Sequence, residues 1–185
     1  DGGAGCLEAV REAGGIGDAE LVVLCDAAIP WEESPWMFAP QKGADPAGVA
    51  RLEDRLAKLA KELPRNPTGV PRTGAAGGLA GGLWAGLGAE LVSGADWMLD
   101  AVGFDERARV ADIVVTGEGR LDRQSLEGKL VGVILRRTAR NGQLTLAVVG
   151  GNELSEETTR EMGLALVAEA STTSELTAFG STLAT

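Results

Sequence analysis

The feature that most restricts the fold is a change of rhythm near residue 110. From there the chain alternates: an apolar run over 112–116, a long helical pattern over 124–141, a second apolar run at Leu144–Val149, a helix opened by Ser155, and a third run over 164–168. Strands that alternate with helices at this spacing are joined by crossovers, which makes their sheet parallel and the connections right-handed. Local chemistry agrees. Asn141-Gly142 closes the long helix, and Arg136, Arg137 and Arg140 stand in its last turns, where cations suit the helix dipole. Ser155 is an N-cap with Glu156 and Glu157 in the first turn behind it.

The part before residue 110 is less regular. Asp1-Gly2-Gly3-Ala4-Gly5 is a glycine turn of the kind that follows a strand, so the chain reads as cut upstream of it, and residues 4–13 carry a helical pattern. Residues 20–26 form a continuous apolar run ending in Asp26, the pattern of a strand covered on both faces. Val49, Leu52, Leu56, Leu59 and Leu63 recur at helical spacing over 47–63, and prolines make 63–71 a loop. Short helices are expected over 93–102 and 105–110. The run from Gly74 to Gly88 is rich in glycine, each of which costs a helix roughly 1 kcal/mol relative to Ala. Such a run needs either a ligand that approaches the backbone or close helix packing, and the two fit equally well. Trp31, Trp36, Met37 and Phe38 read as core or interface.

The strand over 112–116 runs directly into Gly117-Glu118-Gly119-Arg120-Leu121-Asp122. Ligands of open α/β sheets bind beyond the carboxyl ends of strands, beside helix N-termini that offer unpaired N–H groups to anions. Two glycines there let backbone approach a ligand. Glu118 and Asp122 are suited to hold magnesium or accept a proton, and Arg120 to neutralise phosphate. The plainer account is a strand-to-helix turn capped by Asp122 or Ser125. The segment is neither a dinucleotide fingerprint, which needs G-x-G-x-x-G, nor a P-loop, since no Ser or Thr follows Gly128-Lys129. In Pro40-Gln41-Lys42-Gly43-Ala44, Lys42 is either a point charge that reaches phosphate or a solvated loop lysine.

Composition removes several functions. The chain has 185 residues and a net charge of −10, which argues against a basic surface for nucleic acid or anionic lipid. It contains no histidine, so Ser-His-Asp, Cys-His and His-ligated metal chemistry are excluded. Proton transfer falls to carboxylates, lysine or water. No apolar stretch reaches membrane-spanning length, and two cysteines far apart in sequence point to a reduced, cytoplasmic interior.

Taken in order, Asp1-Gly2-Gly3-Ala4-Gly5, Cys25-Asp26, 40–44, the Gly74–Gly88 run and the block from Thr116 to Lys129 resemble the bacterial glycerate kinase family over nearly the whole chain. The last block is the most specific. The resemblance implies ATP-dependent, magnesium-assisted phosphorylation of D-glycerate, usually to 2-phosphoglycerate, by a two-domain α/β enzyme. It implies that residues 1–110 are part of an inserted α/β domain and 111–185 part of a Rossmann-like domain with a parallel sheet, both incomplete because the N-terminal segment is missing. Asp1, Glu118 and Asp122 are then the catalytic candidates, Glu118 and Asp122 the magnesium candidates, and Lys42, Arg120, Gln124, Ser125 and Lys129 the substrate- or phosphate-binding candidates. The shortened chain is expected to need its missing segments for activity, and exposed core faces could pair with a second copy. The competing expectation is a catalytically silent relative that binds a small anion or a partner chain.

Overall fold

The computed structural model describes residues 16–126 and 129–183; the side chains of Gln124 and Leu126 are left out. The Asp1–Gly5 turn, the helical pattern over 4–13, Cys6 and Gly128 lie outside the described residues. The chain divides into two compact units, Asp1–Gly94 and Ala95–Thr185. This division falls upstream of residue 110 because the helices of 95–109 pack against the strand and helix after them: Leu99 and Ala108 share a buried cluster with Val114, Val133 and Ile134.

In the first unit, strand β1 (Val22–Cys25) pairs in parallel with β2 (Glu90–Ser93), Val22 opposite Glu90 and Cys25 opposite Ser93. Only Cys25 of β1 is buried, while Val22 and Leu24 are each 43% exposed, so one face is uncovered where two covered faces were expected. β2 corresponds to none of the strands expected above; its first three residues fall between the glycine run and the helix placed at 93–102, and Ser93 belongs to the strand because that helix starts at Gly94. Helix α1 (Ser34–Phe38) is followed by a 3-10 turn at Pro40–Lys42 and by α2 (Pro46–Glu62). Asp45 caps α2 by accepting the Gly48 N–H at 2.6 Å, with Pro46 at the first helical position.

The glycine run becomes a left-handed turn at Ala76–Gly78 leading into α3 (Leu79–Leu87). A side chain at Gly81 would put its Cβ 2.6 Å from both the Thr73 carbonyl and the Trp31 ring. Tight packing on Trp31 therefore accounts for this glycine. Trp31 is buried and donates its indole N–H to the Leu56 carbonyl at 2.9 Å, whereas Trp36 is half exposed. The Arg65 guanidinium lies 3.8 Å over the Trp84 ring.

The second unit opens with α4 (Gly94–Ala101), whose first residue belongs to the first unit, and α5 (Phe104–Arg109). Strands β3 (Ile113–Glu118), β4 (Leu144–Val149) and β5 (Leu164–Glu169) form a parallel sheet in that order, with α6 (Leu130–Ala139) and α7 (Glu156–Glu161) between them and α8 (Thr173–Leu183) after. This is the parallel α/β arrangement the rhythm requires. Two details differ. β3 runs two residues further than expected, through Gly117 and Glu118, which pair with Val148 and Val149. The helix placed at 124–141 begins only at Leu130, behind Lys129 as N-cap, and is preceded by a separate 3-10 turn at Arg123–Leu126.

α6 contributes Val131 and Leu135 to one core cluster, with Leu121, Ala147, Val149 and Leu164, and Val133 and Ile134 to the other. Ile113, Val115, Leu144 and Leu166 leave the sheet's other face open. Arg137, buried on α6, donates to Asp96 and Asp100 of α4 and to Asp105 of α5. Its hydrogen bond to Asp100 is the largest influence raising its pKa above the ordinary arginine value, and burial opposes it.

Candidate functional site

The candidate site is built at the carboxyl ends of β3 and β4, which stop side by side. After pairing ends, the two exit loops stay joined: Gly150 N–H donates to the Glu118 carbonyl at 3.1 Å, Leu121 N–H to the Gly151 carbonyl at 2.9 Å, and Glu153 N–H to the Leu121 carbonyl at 2.9 Å. Leu121 is wholly buried beneath them and anchors the loop in the core. Two glycines permit this approach. A Cβ on Gly117 would lie 2.4 Å from the Val148 carbonyl oxygen, and one on Gly150 would lie 2.5 Å from that of Gly119.

Glu118 ends β3, and its Oε1 is buried without a hydrogen-bond partner among the described residues. A buried carboxylate oxygen left unpaired is costly, so a cation, a proton or water is expected there. Asp122 and Ser125 cap each other across the 3-10 turn: Ser125 N–H donates to Asp122 Oδ1 at 3.0 Å and Asp122 N–H to Ser125 Oγ at 3.1 Å. The described hydrogen bonds of Asp122 use Oδ1, and its Oδ2 carries none of them. The capping account of this turn is thus correct, and among the described residues it leaves Oδ2 outside the cap.

Arg120 forms an exposed ion pair with Glu153, and that hydrogen bond, ahead of the charge of the same residue, raises the Arg120 pKa. Arg120 is therefore already engaged, and a phosphate would compete with Glu153 for it. Lys129 is exposed at the start of α6. A recess of about 370 Å³ is bounded by Asp122, Arg123, Glu153 and Leu154. Among the expected site residues, Glu118, Arg120, Asp122 and Ser125 come together in this segment; Lys42 lies in the first unit, exposed at the end of its 3-10 turn. Asp1 and the Gln124 side chain lie outside the described residues.

The loop 150–153 belongs to this site and was not singled out from sequence. Its signal was Gly150-Gly151 directly after the neighbouring strand, since parallel neighbours deliver their exit loops to one edge. Among the described residues, no group of three or more acidic or thiol side chains is placed to hold a metal ion. Magnesium needs fewer protein ligands than that, because it keeps waters and shares substrate phosphates. The orphaned Glu118 oxygen and the spare Asp122 oxygen suit such a hard cation.

The model of the glycerate kinase family matches residues 9–179. The chain belongs to the glycerate kinase family. The glycerate kinase of Halalkalibacterium halodurans is 32% identical over 80% of this chain and 41% of its own length. Glycerate 2-kinase of Escherichia coli is 39% identical over 63% of this chain and 32% of its own. An uncharacterized protein of Mycobacterium bovis is 37% identical over 86% and 43%. The chain therefore spans less than half the length of these relatives. The crystal structure of "putative glycerate kinase 2" from Salmonella typhimurium LT2 superposes with a TM-score of 0.54 at 30% identity, covering 82% of this chain and 40% of that one. Family and α/β fold thus agree with the expectation from the Thr116–Lys129 block. No helix among the described residues is long and apolar enough to cross a membrane.

Proposed function

We propose that this chain carries the phosphoryl-transfer loop of an ATP-dependent D-glycerate kinase, with 2-phosphoglycerate as the product. The single observation that carries this reading is the buried Oε1 of Glu118 at the end of β3, which has no hydrogen-bond partner among the described residues, with Asp122 in the loop behind it using Oδ1 alone in its described side-chain hydrogen bonds. Family membership and the named activity of the Escherichia coli relative support the choice of acceptor.

In the reaction the glycerate hydroxyl oxygen forms a bond to the γ-phosphorus as the bond to the β-phosphate bridging oxygen breaks, and ADP leaves. Phosphoryl transfer asks the protein for alignment and for charge placed over the phosphates more than for covalent chemistry. Asp122 is assigned to orient the acceptor hydroxyl and take its proton on the free carboxylate oxygen. Its Oδ1 cap holds the side chain in place for that task. Glu118 would hold magnesium, which supplies neutralising charge to the phosphates when bound, with waters and substrate oxygens as its other ligands. Lys129 is assigned to phosphate or carboxylate, and Arg120 joins it on releasing Glu153. Asp1 and Gln124 keep the roles that the family resemblance gives them. A cytoplasmic setting, where ATP and magnesium are available, completes the proposal.

The test is to incubate the full natural polypeptide that contains this chain with ATP and magnesium and to measure ADP with and without D-glycerate. ADP release that depends on D-glycerate, with phosphoglycerate formed in equal amount, is the expected result. A folded polypeptide that releases no ADP above background overturns the proposal.

A further inference from the structure

The first unit contains a cavity of about 490 Å³ between α1, α2 and the left-handed turn at Gly77 and Gly78, well within the size range of small-molecule sites. Its walls are mostly carbon. Trp31, Phe38, Leu52, Leu56 and Leu59 line it, and the one polar group of the Trp31 ring is already spent on the Leu56 carbonyl. The turn is pressed against that ring, since a Cβ on Gly78 would lie 3.0 Å from it.

The charges at this cavity are one-sided. Among the described residues, Lys42 and Arg55 line it and no carboxylate does, in a chain whose 27 acidic residues outnumber its 17 basic ones. Both cations are exposed, and neither takes part in an ion pair among the described residues. Two uncompensated cations at an apolar hollow discriminate on two counts. A small hydrophilic anion leaves the walls unfilled, and a neutral hydrocarbon leaves the cations without a partner.

We propose that this cavity binds an organic anion with a flat apolar body, a carboxylate or phosphate carried on a ring system about the size of naphthalene. The apolar body lies against Trp31, Phe38 and the leucines of α2, and the anionic group reaches Lys42 and Arg55. The inference rests on the cavity alone and stands whether or not the chain transfers phosphate.

The test is an NMR titration of the full chain labelled with nitrogen-15, with no ATP present, reading the indole N–H of Trp31. The probes are 2-naphthoate, its neutral analogue 2-naphthalenemethanol, and acetate. 2-Naphthoate is expected to shift the Trp31 resonance and to bind at least about tenfold more tightly than either of the others. Lys42→Gln and Arg55→Gln, both at exposed positions, are each expected to weaken 2-naphthoate about threefold or more while the indole signals of Trp84 and Trp97 stay in place. The proposal is overturned if 2-naphthoate leaves Trp31 unmoved up to roughly 1 mM, if the neutral analogue or acetate binds as tightly, or if both variants keep wild-type affinity.

Discussion

Asp122 and Ser125 hold one another by reciprocal backbone-to-side-chain hydrogen bonds of 3.0 and 3.1 Å, which fixes the turn behind β3 and, among the described residues, commits only one of the two Asp122 carboxylate oxygens. The two oxygens can be separated by substitution. Asp122→Asn keeps a capping oxygen and should leave stability nearly unchanged, whereas Asp122→Ala should lose about 1 kcal/mol. If the second oxygen orients the acceptor hydroxyl, turnover falls at least roughly tenfold in both. Urea unfolding alongside steady-state rates distinguishes the two effects, and an Asn variant with wild-type turnover would reduce Asp122 to a cap.

Gly117 is required by strand pairing, because a methyl group there would meet the Val148 carbonyl at 2.4 Å. Gly117→Ala should destabilise the second unit by about 1–3 kcal/mol, the usual range for overpacking. Gly119 is the internal control: nothing lies within 4 Å of its Cβ position, so Gly119→Ala should unfold within about 0.5 kcal/mol of wild type. Equal urea midpoints for the two variants would contradict the close approach of β3 and β4.

Arg137 staples α4 and α5 to α6 through Asp100 at 2.6 Å, Asp96 at 3.0 Å and Asp105 at 3.4 Å. Removing one partner of a buried pair costs about 3–5 kcal/mol, and the partial exposure of the three carboxylates lowers the expectation for Arg137→Ala to about 2 kcal/mol. Arg136 binds Asp96 from a half-exposed position, so Arg136→Ala should cost less than about 1 kcal/mol. Thermal unfolding of the pair checks the order, and a larger loss from Arg136→Ala would refute it.

Glu175 accepts the backbone N–H groups of Ser171 and Thr172 at 2.8 and 3.0 Å, and Glu175 N–H donates back to Thr172 Oγ1 at 3.3 Å. This capping box opens α8. The backbone hydrogen bonds lower the Glu175 pKa below the ordinary 4.5. A depressed carboxylate pKa stabilises above the unfolded value, and that contribution disappears as pH falls through the folded value. α8 should therefore loosen below pH 4.5, which amide exchange of 173–183 can follow, and Glu175→Gln should abolish the pH dependence.

The parallel sheet was legible because β4 and β5 are compact apolar runs separated by a helical pattern, and a parallel pairing is the arrangement such an order allows. β2 was not legible. Glu90-Leu91-Val92-Ser93 is too short to show a period and takes its identity from its parallel partner β1. α8 has a start readable in Thr172-Thr173-Ser174-Glu175, a capping-box pattern. At the site, residue types and order marked 117–122, but only the fold reveals that Arg120 is held by Glu153 and that the 150–153 loop forms the second wall. Those facts depend on which strand lies next to β3. The glycine run posed a choice between ligand approach and close packing, and Gly81 against Trp31 answers it for that position in favour of packing.

The most direct test of the central claim is the turnover of Glu118→Gln in the full natural polypeptide, measured as D-glycerate-dependent ADP release beside its melting temperature. Among the described residues, Glu118 Oε1 makes no hydrogen bond that the substitution would break. A melting temperature close to wild type and a kcat reduced at least roughly tenfold are expected. A variant that melts like wild type and turns over at the wild-type rate would contradict the proposal.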